Sequence, residues 1–162
     1  MTFDVAHLLG GQDMGDAVAR VREAIGPGRE VAGWATVELD RAEASFGVLP
    51  GASASGLLFG SDEQHEDGRD ELLGATARVI RAADDREIAL LEPFTEGRLA
   101  AALARNGEGF VALYLMADSD ALVRARAAGF VLSAPGLGPF GTQHLVVGGP
   151  RWGPFIVIAG LD

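Results

Sequence analysis

Two repeat periods divide the chain into recognisable elements. Met14, Ala17, Val18, Val21 and Ile25 recur at spacings of three and four, the buried stripe of a helix, and predict one from about Gln12 to Ile25. Asp13 is placed to cap its start, and Gly26-Pro27-Gly28 to stop it. Phe3–Gly10, short and largely apolar, reads as a preceding strand. Val31–Leu39, with Trp34, Val37 and Leu39, alternates in part and reads as a second one. Ala75–Arg81 and Glu87–Leu91 flank the turn Ala83-Asp84-Asp85-Arg86 and predict a hairpin ended by Pro93. Leu99, Ala102 and Leu103 share one side of a helix over Thr95–Asn106, closed by Asn106-Gly107. Strand Phe110–Met116, helix Ala121–Ala128 (stopped by Gly129) and strand Phe130–Ser133 follow. A Gly/Pro loop over Pro135–Gly141 leads to strands Thr142–Val147 and Phe155–Ala159. Between residues 40 and 70 the periodicity fades. Gly47, Pro50, Gly51, Gly56 and Gly60 punctuate that stretch, Leu57-Leu58-Phe59 reads as a short strand, and the charge-dense Asp62–Glu71 as an exposed loop.

The order strand, helix, then two or three strands occurs twice. His7-Leu8-Leu9-Gly10-Gly11-Gln12-Asp13 can be laid on Ala112-Leu113-Tyr114-Leu115-Met116-Ala117-Asp118. An internal duplication bears on the whole architecture. The expectation is an α+β fold of two βαβββ modules forming a curved mixed sheet around a cleft, where small molecules bind. Residues 1–95 make the first module, with an irregular insertion at about 40–70. A linker helix spans 96–108, and residues 109–162 make the second module.

Composition narrows the chemistry. Of the 162 residues, 48% are hydrophobic and 22% charged, enough apolar surface for a core without cross-links. A net charge of -10 repels phosphate backbones and anionic lipid, so neither nucleic acid nor membrane is an expected partner. All 13 basic residues are arginines, which excludes a Schiff-base lysine and a P-loop lysine. With Cys 0, disulfides, thiolate nucleophiles and zinc-finger sites are excluded too. The N-terminal residues show no signal-peptide pattern and no apolar run is long enough to span a bilayer, which gives a cytoplasmic expectation. Exposed strand edges favour a homodimer.

Ile88-Ala89-Leu90-Leu91-Glu92-Pro93, the helix Gly97–Arg105 and Asn106-Gly107-Glu108-Gly109 resemble the link between modules in the methylmalonyl-CoA epimerase family of the vicinal-oxygen-chelate superfamily, alongside glyoxalase I, ring-cleaving dioxygenases and bleomycin-resistance proteins. Members commonly hold one divalent metal through His, Gln or Glu on the first and last strands of both modules, where it acts as a Lewis acid. Carried over residue by residue, those positions fall on His7, Ala89, Ala112 and Val157. One His cannot hold a divalent ion, so the expected metal set and cofactor are none.

The remaining candidates are few. His7 and His144 are the candidate bases, since a side chain with a pKa of about 6.5 suits proton transfer near neutrality. Trp34, Tyr114, Phe140, His144 and Trp152 are the candidate ligand-binding residues, able to line an apolar pocket. His65 lies in the charged loop and reads as exposed, Asp13 and Asp118 as helix caps. No Gly-x-Ser-x-Gly nucleophile elbow is present. Glyoxalase-like binding of a small organic molecule without a catalytic metal is the leading expectation. The alternatives are a lyase or isomerase acting on a carbonyl substrate, and a homodimeric structural protein.

Overall fold

The computed structural model describes residues 12–26, 28–47, 67–83, 85–148 and 154–159. The strand expected at Phe3–Gly10, the one at Leu57–Phe59, and His7, His65 and Trp152 lie outside them.

Helix α1 (Gln12–Ile25) forms as its stripe predicts. Val18, Val21 and Ile25 are buried against Leu113, Leu115, Ile156 and Ile158 of the sheet, and Gly26 ends the helix at φ +83°. Burying a side chain of this size contributes about 1.5–3 kcal/mol. Strand β1 (Glu30–Ala35) is shorter than the alternation suggests, because the chain turns at Thr36–Glu38 into helix α2 (Leu39–Ser45). Leu39 and Ala42 are the buried apolar positions of α2, three apart, and Phe46 packs beside them. Strand β2 (Gly68–Asp70) lies inside the stretch expected as an exposed loop, and Asp70 is wholly buried. Strands β3 (Ala75–Arg81) and β4 (Glu87–Pro93) form the predicted hairpin. Helix α3 (Arg98–Asn106) starts three residues later than its pattern suggests, at Gly97, whose φ of +131° lies outside the helical range.

The second half runs β5 (Gly109–Met116), α4 (Ala121–Ala127), β6 (Val131–Leu132), β7 (Gly136–Gly138), β8 (Gly141–Val147) and β9 (Phe155–Ala159). Strand β7 occupies what reads as a loop: three residues paired to β8 through a tight Pro139-Phe140 turn.

All nine described strands join one mixed sheet in the order β2-β3-β4-β1-β5-β9-β8-β6, with β7 also on β8. Strand β1 is parallel to β4, β5 is parallel to β9, and β1 and β5 run antiparallel at the centre. By its place in the sheet, β1 followed by α2 is therefore the counterpart of β5 followed by α4. Helix α1 instead packs beside α4 on the second half's outer face. At the β1–β5 seam Gly33 faces Ala112 and Trp34 faces Phe110, so Val111 is an extra residue in a β-bulge.

The outer face is covered by α1 and α4 over one half and by α2 over the other. The inner face carries Val31, Ala77, Ala89, Leu91, Ala112, Tyr114, Leu145 and Val157 in one buried cluster, into which α3 inserts Leu99 and Ala102. Sheet and helices together make the expected curved α+β architecture.

Candidate functional site

The inner face is where the curvature of the sheet converges, and its centre is built from small residues. Gly33 faces Ala89 on one side and Ala112 on the other. A Cβ at position 33 would lie 3.0 Å from the Ala112 Cβ and 3.2 Å from Tyr114 Cε2, so the glycine lets the tyrosine ring lie close without crowding. Its hydroxyl donates to Asp70 Oδ2 at 2.6 Å, and the other carboxylate oxygen accepts from Leu73 N at 2.9 Å. Tyr114 and Asp70 are both 0% exposed. Burial, reinforced by the neighbouring Asp70, pushes the Tyr114 hydroxyl well above its ordinary pKa, so it stays a neutral donor.

The space above this pair is bridged. The turn after β2 meets β7: Glu71 N donates to Leu137 O at 2.9 Å, and Leu137 N donates to Glu71 Oε2 at 3.0 Å. Gly136 sits close on Leu72, where a Cβ would come within 2.9 Å of that side chain. Phe140 leans edge-on against Tyr114 with ring centroids 5.3 Å apart, and the Arg29 guanidinium lies over its ring, 5.7 Å from the centroid.

Of the metal-ligand positions carried over from the resemblance, Ala89, Ala112 and Val157 fall together in the inner cluster, and none offers a lone pair. Among the described residues no three His, Asp, Glu or Cys side chains are grouped to hold a cation. Asp70, the carboxylate of the inner face, is taken by Tyr114 and Leu73. These residues do not fit a divalent ion.

The aromatic candidates divide between the two faces. Tyr114 and Phe140 meet on the inner one. Trp34 lies with Phe46 and Phe110, at 5.2 and 4.9 Å in edge-on contacts, on the side covered by α2. His144 alternates with the inward-facing Leu145 along β8 and so points outward. Its Nδ1 lies 2.9 Å from the Ser133 carbonyl oxygen; an oxygen that can only accept makes Nδ1 the protonated nitrogen.

A cavity of about 830 Å³ opens elsewhere, where β8 ends and β9 begins, between α1, the α4–β6 turn and the start of α3. Val21, Phe130, Val146, Phe155 and Ile156 form its apolar wall, and Arg20, Glu23 and Arg98 border it. Several arginines are paired with carboxylates: Arg22 with Glu30, Arg29 with Glu87, Arg41 with Glu108, Arg78 with three carboxylates, Arg81 with Asp85, Arg124 with Asp118. Among the described residues no carboxylate bonds Arg20 or Arg98; Arg98 reaches only the Leu72 carbonyl, at 3.4 Å.

The motif Asn106-Gly107-Glu108-Gly109 has a structural part to play. Glu108 Oε1 accepts from Val37 N at 3.0 Å, from Thr36 Oγ1 at 3.2 Å and from Arg41, which ties the start of β5 to the β1–α2 turn. The Val37 amide, then Arg41, hold its carboxyl below the ordinary value.

No family model matches the chain, and no curated protein matches it in sequence. Solved structures do. Methylmalonyl-CoA epimerase from Mycobacterium tuberculosis superposes with a TM-score of 0.62 at 18% identity, over 86% of this chain and 91% of that one. A Streptomyces coelicolor methylmalonyl-CoA epimerase variant in complex with 2-nitronate-propionyl-CoA gives 0.58 at 19% identity, over 84% and 99%. The chain shares the fold of these methylmalonyl-CoA epimerases. A further structure, methylmalonyl-CoA epimerase with methylmalonyl-CoA and an ammonium ion, gives 0.59 at 20% identity, over 85% and 96%.

Asp70, Gln143, Arg20 and Arg98 are site residues that sequence reasoning missed. Gln143 carried a usable signal, since it stands two residues before Leu145 on a strand whose alternate positions face inward. Asp70 carried none, because it follows a run of charge that reads as solvent-facing.

Proposed function

We propose that this chain is a metal-independent small-molecule-binding protein of the vicinal-oxygen-chelate fold, and that its ligand is an organic anion with an apolar body. One observation carries the reading: Arg20 and Arg98, cations without a carboxylate partner among the described residues of a chain with net charge -10, border the same apolar-walled cavity. A ligand carboxylate placed there gains charge-assisted hydrogen bonds, while its hydrocarbon part covers Val21, Phe130 and Phe155. Glu23 at the same rim opposes a second negative charge and favours monoanions. The solved epimerases of this fold that bind acyl-CoA compounds support the reading at the level of architecture.

Catalysis by His144 has less support, since its ring faces away from the inner cluster and is not among the residues bordering the cavity. The assembly we propose is a cytoplasmic homodimer formed along β6. That edge strand is short, and its Val131, 64% exposed, faces Val147, 47% exposed, across the ladder.

Octanoate is a suitable probe. Thermal melting with increasing octanoate is expected to rise by mass action and saturate. Arg98→Ala and Arg20→Ala should each weaken binding about tenfold, the equivalent of about 1.4 kcal/mol. Unchanged melting with octanoate and with aromatic carboxylates, or undiminished binding by the double variant, would overturn the proposal.

A further inference from the structure

Gln143 is the one wholly buried carboxamide of the inner face among the described residues, at 0% exposure, and neither its Oε1 nor its Nε2 has a hydrogen-bond partner. A buried amide with all its hydrogen bonds missing is unfavourable, and natural folds seldom leave one so without a reason. Its place adds meaning. Tyr114 is in register with Val157, Val157 with Leu145, and Gln143 is the next inward residue of β8. The amide therefore belongs to the inner face, one step along the sheet from the Tyr114–Asp70 pair.

A second, independent feature covers it. A Cβ at Gly138 would stand 2.0 Å from Gln143 Oε1 and 2.6 Å from Nε2, so the main chain of β7 rests directly on the amide. Both ends of β7 are glycines, and both are needed for close approach: Gly138 to Gln143, Gly136 to Leu72. What closes β7 against the opposite half is the packing of Gly136 on Leu72 and two hydrogen bonds between Glu71 and Leu137, both exposed residues.

We infer that β7 is a lid over a second binding site, in which Gln143 recognises a compact neutral molecule presenting N–H and C=O groups side by side, such as a lactam, an imide or a primary amide. The chemistry follows from what is present. A carboxamide offers an acceptor and two donors on one edge, complementary to another amide. Its surroundings, Phe140, Leu145 and Val157, are apolar. The cation that reaches this face over Phe140, Arg29, is already paired with Glu87, which leaves it no charge to spare for a buried carboxylate. Entry requires the β2–β7 seam to part, with β7 travelling on its hairpin with β8. Gln143 does not border the arginine-lined cavity, although Leu145 contributes to the walls of both, and the ligand it selects is neutral rather than anionic.

The test uses the full chain labelled with nitrogen-15 and the probe 2-pyrrolidinone. The Gln143 side-chain NH₂ signals are assigned through the residue's own side-chain carbons, so the reading does not depend on a variant that folds. A saturable shift of those signals, unaffected by excess octanoate, is the expected result. Gln143→Met should lower the affinity at least tenfold, and Glu71→Ala, at the seam, should speed association. Unmoved Gln143 signals with both 2-pyrrolidinone and acetamide would overturn the inference. So would a long-lived buried water at the amide, seen as a water-to-NH₂ Overhauser effect, that no probe displaces.

Discussion

The Tyr114 hydroxyl and the Asp70 carboxylate meet at 2.6 Å across 44 residues of sequence, both of them shut away from solvent. The bond joins the central strand β5 to the peripheral β2 beneath the β7 bridge. A hydroxyl and a carboxylate thus hold this part of the inner face together. Because Tyr114 is the sole tyrosine, its ionisation can be read alone. Burial raises its pKa, so the folded chain keeps the proton while the unfolded one releases it near the ordinary value of about 10. The stabilising contribution is full below that pH and declines as pH rises above it. Ultraviolet titration should show no tyrosinate at pH 10–11 while the circular dichroism stays native; ionisation should coincide with alkaline unfolding. Tyrosinate in the folded chain near pH 10 would contradict the buried pair.

Removing the hydroxyl is a separate measurement. Tyr114→Phe leaves a buried carboxylate oxygen without its donor, at an expected cost of about 1–3 kcal/mol. Urea denaturation at pH 7 checks this, and a loss below about 0.5 kcal/mol would mean that water reaches Asp70.

Arg78 gathers three carboxylates: Asp67 in a two-pronged contact at 2.8 and 3.0 Å, Asp40 at 2.7 Å and Glu43 at 2.7 Å. The Asp67 bonds above all raise its pKa further above an already high value, so it stays charged at every accessible pH. Glu43, with a side chain only 5% exposed, depends on it. Arg78→Met should cost about 2–4 kcal/mol by leaving that carboxylate uncompensated. Arg78→Lys should recover less than half, since a single ammonium cannot reproduce the planar fork. Equal stability of the Lys variant and the parent in urea melts would refute the part assigned to the fork.

Much of this architecture was legible in the residues, and the gaps have physical causes. The hairpin of Ala75–Arg81 and Glu87–Leu91 stood out because β-branched residues flank a clear turn, and Phe110–Met116 because it is a continuous apolar run. Helix α2 was obscured because Thr36, Val37 and Leu39 prolong the strand pattern of β1, although Leu39, Ala42 and Phe46 keep helical spacing. The strand order makes β1, beginning near Val31, the counterpart of β5, a correspondence that the overlap hides in the sequence. Tyr114 and Phe140 were picked out as aromatics on neighbouring elements. Their partner Asp70 could not be, since what buries it is the crossing of β2 beneath β7, a contact between segments far apart in sequence. Nor does any local pattern tell that Arg20 and Arg98 border one cavity.

The donor set of the inner face has a direct consequence for metal binding. Three of the positions carried over from the family are Ala89, Ala112 and Val157, all buried at 0% exposure, and their side chains cannot coordinate. Melting curves with added zinc, nickel or manganese are expected to match those with a chelator present. A saturable rise in melting temperature with any of the three would show that donors from elsewhere in the chain reach a cation.

The contact between Gly138 and Gln143 permits a test by a double-mutant cycle. Gly138→Ala drives a methyl group into the Gln143 amide, where β7 and β8 leave no room, and should cost about 1–3 kcal/mol through overpacking. Gln143→Ala removes the obstructing amide together with its unmet hydrogen-bonding demand, so its own effect combines a packing loss with relief of a buried polar group. In that background Gly138→Ala should be close to neutral, giving a coupling energy of at least about 1 kcal/mol between the two sites. Additive losses would mean that β7 does not rest on Gln143, and the lid would then have nothing beneath it to cover.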